Sequence, residues 1–130
     1  MGAWGYGPFD NDDAGDWVWE LEKTTDFSVV QTALDSIVSA DGEYLEAPDC
    51  SLAIAAAEVV AASLGKPVDK LPDDVRRWLG GRGATQPDLV SLAKQAVASI
   101  KVSSELRELW EESDHLDEWV GGTTRAERTL

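Results

Sequence analysis

The chain has 130 residues, 43% of them apolar, the size of one domain with an ordinary hydrophobic core. Its 25 acidic and 11 basic residues leave a formal charge of −14, which argues against nucleic acid and anionic membrane as partners, since both need a basic surface. A lone cysteine, Cys50, excludes an internal disulfide framework, and the absence of a basic start followed by an apolar run makes a cytoplasmic protein the expectation.

The opening segment MGAWGYGPFDNDDAGDW interleaves Gly2, Gly5, Gly7 and Pro8 with Trp4, Tyr6 and Phe9. Each glycine inside a helix costs about 1 kcal/mol relative to Ala, so this density opposes a helix. Aromatic residues in such numbers are foreign to a disordered tail. The segment therefore reads as an ordered, non-helical hook with buried rings. Asp10 or Asn11 can cap a first helix, with Asp12 and Asp13 at the positive end of its dipole. That helix carries Ala14, Trp17, Val18 and Leu21 on one side and Asp12, Asp16 and Glu20 on another.

A second helix begins near Asp26 with the stripe Phe27, Val30, Leu34, Ile37 and Val38, and breaks at Asp41-Gly42. Tyr44 and Leu45 are expected to tuck inward from the following loop, and Pro48-Asp49 opens the next helix. From Leu52 to Leu64 the sequence reads LAIAAAEVVAASL, apolar on every side except for Glu58 and Ser63. A helix of that kind belongs at the centre. A short helix follows over Pro72 to Leu79, then a GGRGATQ connector, with Thr85 and Asp88 forming a capping-box-like start. The fifth helix has the stripe Leu89, Leu92, Ala93, Ala96, Val97 and Ile100. Ser103 or Ser104 caps a sixth, which carries Leu106, Leu109, Trp110, Leu116 and Trp119 and is expected to stop at Gly121-Gly122. Sustained alternation is absent, so no sheet is expected. The predicted fold is all-α, a single compact domain over 1–121 of five to six helices around the alanine-rich one, followed by a flexible tail over 122–130.

The residues with chemical potential are few. Asp10, Asn11, Asp12, Asp16, Trp17 and Glu58 form the candidate binding set. Read as a calcium loop from Asp10, the pattern places Ala14 at position five and Leu21 at position twelve, where ligands are needed. A looser divalent-metal site from Asp12, Asp16 and Glu58 is the alternative; helix capping and dipole compensation explain the aspartates without any ligand. Glu58 is costly to bury unless paired. Arg76, Arg77, an indole N–H or the backbone N–H groups of the hook could serve, and the hook is favoured because irregular backbone leaves donors unused. Trp17 and Trp19 point to different sides of their helix, so one of them lies near the surface. His115 is the only histidine and belongs to no zinc or nucleophile signature. No nucleophile elbow, Walker loop or dinucleotide fingerprint is present, so no catalytic residue and no cofactor are expected.

The opening MGAWGYGPFDNDDAGDWVWEL resembles a bacterial family known as domain of unknown function 4259. Its members begin with a Met-Gly-x-Trp-Gly stretch, a Phe-x-Asn-Asp element and an Ala-x-Asp-Trp element. Here these are Met1 to Gly5, Phe9 to Asp12 and Ala14 to Trp17. The YLEAP and AIAAAEVVAA segments, with Glu58, are similar to it as well, and the resemblance extends to about Trp119. It implies recurrent polar positions at Asn11, Asp12, Asp16 and Glu58, and no activity. The expectation is a small acidic, non-catalytic protein that binds a macromolecule, immunity- or inhibitor-like, with a basic protein as partner. The alternative is a divalent-metal-binding protein or metal-dependent enzyme using the N-terminal aspartates and Glu58. Oligomeric state is open.

Overall fold

Polar caps and small residues decide where the helices start and how closely they pack. The computed structural model describes residues 7–40, 43–66, 71–80 and 87–130, which form seven helices and no strand. The all-α expectation holds. The first helix, α1 (Asp12–Glu22), starts at Asn11, whose backbone is extended and whose side-chain oxygen accepts the Ala14 N–H at 2.8 Å. Asp10 instead accepts the Gly7 N–H at 3.2 Å, closing the turn before the helix. Ala14, Trp17, Val18 and Leu21 are buried, as their spacing requires. Of the indole pair it is Trp19 that is 67% exposed, with the Lys23 ammonium 4.9 Å from its ring centroid.

In α2 (Ser28–Val38), Asp26 accepts the Ser28 N–H at the start, and Val30, Ala33, Leu34 and Ile37 face inward. Next comes α3 (Ala47–Ser63), in which every residue from Ala53 to Ala61 is buried. It packs against each of the other six helices, which its alanines permit by letting neighbouring backbones approach. A left-handed glycine, Gly65 at φ +83, ends it. There the Gly65 N–H donates to the Ala62 carbonyl and the Lys66 N–H to the Ala61 carbonyl, the Schellman pattern that satisfies the last helical carbonyls.

Around this rod lie α4 (Asp73–Leu79), α5 (Pro87–Val102), α6 (Glu105–Glu111) and α7 (Leu116–Thr129). Trp78 in α4 donates its indole N–H to the Thr24 carbonyl at 2.9 Å and meets the edge of Phe27 at 5.2 Å between centroids. In α5, Ala93, Ala96, Val97 and Ile100 are buried against α3. The capping box expected at Thr85 lies outside the described residues. Ser104 is the cap of α6: it accepts the Arg107 N–H at 3.0 Å and donates to the Ile100 carbonyl at 2.8 Å, joining α6 to α5. No helix of the described residues is long and apolar enough to cross a membrane.

Three expectations are corrected. Tyr44 does not tuck inward: it is 58% exposed and donates its hydroxyl to Glu108 at 2.7 Å, while Leu45 alone is buried. The single sixth helix is two, because the Ser113 hydroxyl donates to the Trp110 carbonyl and also accepts the His115 N–H, turning the chain. Finally, α7 does not stop at Gly121-Gly122 but runs on to Thr129, so the segment expected to be a flexible tail is helical and buries Thr123 and Ala126. The stripe Trp119, Thr123, Ala126 supplies the packing that outweighs two weak helix formers.

Cys50 is fully buried where α3 begins, and burial pushes its thiol up to about 12, against the hydrogen bond with Ser104 that lowers it.

Gly15 and Gly121 lie inside helices, and a Cβ added at either meets nothing within 4 Å. Gly15→Ala and Gly121→Ala are each expected to stabilise the fold by about 0.5–1 kcal/mol, raising Tm by a few degrees. Thermal melts check this; a lowered Tm for Gly121→Ala would show that the end of α7 is not helical in solution.

Candidate functional site

The first turns of α3 and α6 are clasped together. The Ala47 N–H donates to the Glu105 side chain at 2.8 Å, and the Glu105 N–H donates to the Leu45 carbonyl at 2.9 Å. Both bonds satisfy amide donors that a helix start leaves without intrahelical partners. With this pair fixed on one side and α7 on another, a cavity of about 350 Å³ remains beside α3. Ile54, Leu106, Leu109, Trp110, Trp119 and Ala126 give it apolar walls. Gly7, Pro8, Asn11 and Asp13 close the side where the chain enters α1. The remaining charged groups are Glu58, Glu118 and Arg125.

Glu58 is 1% exposed. Its Oε2 accepts a hydrogen bond from Arg125 Nη2 at 3.3 Å, and among the described residues no other side chain bonds it. The guanidinium belongs to a side chain that is 42% exposed, so the pair couples a dry carboxylate to a half-wet cation. Burial pushes the Glu58 carboxyl above its ordinary 4.5, and the opposing pull of Arg125, by charge and hydrogen bond, does not cancel that. A carboxyl of this kind can hold a proton, accept a donor, or pair with a cation brought by a ligand.

The cavity brings together two of the expected site residues, Asn11 and Glu58. Asp12 and Asp16 are exposed on α1, Asp10 closes its own turn, and Trp17 is buried in the core at 5% exposure. Among the described residues, no three His, Cys, Asp or Glu side chains are placed to hold a metal ion. Of the hook expected to bond Glu58, residues 1–6 lie outside the described residues and the Gly7 N–H goes to Asp10; the partner observed is Arg125, and Gly7 and Pro8 share its cavity. Arg125 is hidden in the sequence because the glycine pair obscures the helix that carries it. The inward spacing of Trp119, Thr123 and Ala126, continued past the glycines, is the signal that finds it.

A group whose carboxyl is held higher in the folded state than in the unfolded one binds protons preferentially when folded. Its stabilising contribution is present at acid pH and is lost as pH rises through the folded value. The Tm of Glu58→Gln minus that of wild type should therefore increase by a few degrees from about pH 4.5 upward to pH 8. Melting curves across that range check it, and a flat difference would contradict the burial effect.

No curated protein and no solved structure matches the chain. The sequence does match the family described as Domain of unknown function (DUF4259) over residues 2–121. That stretch holds α1 to α6 and the first part of α7, together with Glu58 and most of the cavity lining. By this match the chain belongs to that family of unknown function.

Proposed function

We propose that this is a non-catalytic binding protein whose site is the cavity between α3, α6 and α7, taking a small molecule with an apolar body. The observation that carries this is the combination of apolar walls and a buried carboxylate, Glu58, paired with the half-exposed Arg125 in a space of about 350 Å³. Ligand sites commonly occupy roughly 300–1,000 Å³, with a few polar groups fixing orientation on an apolar lining. Ser51 and Thr123 line the cavity too and add hydroxyl groups to the polar set. A cytoplasmic location fits the unpaired, buried Cys50.

The neutral fluorophore N-phenyl-naphthylamine tests this. Saturable binding with brightened emission is expected, and Leu109→Trp, a half-buried wall position, should weaken it about tenfold while leaving Tm within a few degrees. Absence of saturable binding, or binding unaffected by filling the wall, would overturn the assignment.

A second reading keeps the acidic surface as an immunity- or inhibitor-like docking face for a basic protein. The charge of −14 and the exposed Trp19 support it. It predicts association that weakens steeply with added salt and on Trp19→Ala, measurable by sedimentation against a captured basic partner.

A further inference from the structure

We propose that the cavity selects a small organic cation, an amine on an apolar body, whose head group replaces the Arg125 guanidinium on the Glu58 carboxylate. This rests on the reading of the cavity as a ligand site. Charge is the first support. Asp13, Glu58 and Glu118 face the space with Arg125 as the only described cation among the lining residues, so an incoming anion meets net repulsion. A neutral ligand leaves the Glu58 carboxylate with its single bond from Arg125.

The geometry of the pair is the second support. Glu58 sits at the middle of a helix buried on all sides and cannot follow a partner into water. Arg125 can: its side chain is 42% exposed and holds Oε2 through one nitrogen at 3.3 Å, at the long end of hydrogen-bond distances. A bidentate guanidinium grip, the strong form of this contact, is not made. Arg125 thus occupies a cation seat that it can leave for water, where its head group is hydrated. An ammonium has three donors to offer the same carboxylate. The indole rings of Trp110 and Trp119 line the approach, and aromatic rings favour both an apolar body and a nearby cation.

Isothermal titration of the full chain at pH 8 with phenethylamine, phenethyl alcohol and hydrocinnamate tests the proposal, because the three share a body and differ in head-group charge. The amine is expected to bind about tenfold or more tighter than the alcohol, and the carboxylate weakest. Glu58→Gln should abolish the preference for the amine, whereas Arg125→Gln should tighten the amine severalfold, because the built-in competitor is gone. A purely structural role for the pair predicts no tightening. The proposal is overturned if the alcohol matches the amine, if the carboxylate binds best, or if Arg125→Gln weakens the amine. The wild-type comparison stands even where a variant fails to fold. If none of the three binds but the naphthylamine probe does, the cation selectivity is wrong and the cavity reading survives. If the probe also fails, the cavity reading itself falls.

Discussion

Glu58 is a carboxylate in the stretch of α3 from Ala53 to Ala61 that is buried on every side, and much of the molecule is arranged by what that requires. A charge held there needs a countercharge, and the nearest one arrives from the far end of the chain on α7. The bond between them spans 67 positions in sequence. It gives the last helix a polar anchor on the central one in addition to the packing of Trp119, Thr123 and Ala126. Well-packed apolar side chains hold helices together at least as well as a buried ion pair.

The cavity lies beside α3, with α6, α7 and the entry to α1 supplying its other walls. Alanine allows close approach along most of α3. At its N-terminal end the clasp through Glu105 ties it to α6 by hydrogen bonds as well as by packing. Large side chains from α6 and α7, Trp110 and Trp119, then line the gap without filling it. The same clasp exposes the preceding tyrosine, whose hydroxyl bonds Glu108 on the outside of α6 while Leu45 turns in.

Much of this was legible in the residues. Apolar periodicity located α1, α2 and α5, the unbroken apolar run located α3, and the pairs Asp10-Asn11 and Ser103-Ser104, with Pro48, marked three helix starts. Glu58 stood out as the one carboxylate in an alanine run. Its partner did not, because Gly121-Gly122 reads as a stop and local propensity carries no knowledge of the packing that overrides it. The acidic opening misled in the opposite sense. Asp12 and Asp16 share a helix flank at good ligand spacing, yet that flank faces solvent, and a spacing rule cannot say which side of a helix the core occupies. The cavity itself has no sequence signature, since it is a residue of volumes contributed by four separate segments.

The thiol of Cys50 lies at the clasped junction of α3 and α6, fully buried and with ionisation suppressed. Alkylating reagents attack the thiolate, so the native chain shields its sole reactive sulfur twice over, by access and by protonation. Modification then waits on an opening of that junction, which makes the side chain a built-in clock for excursions of the native ensemble. Because the junction borders the cavity, occupancy there would slow the clock in proportion to the fraction of chains filled.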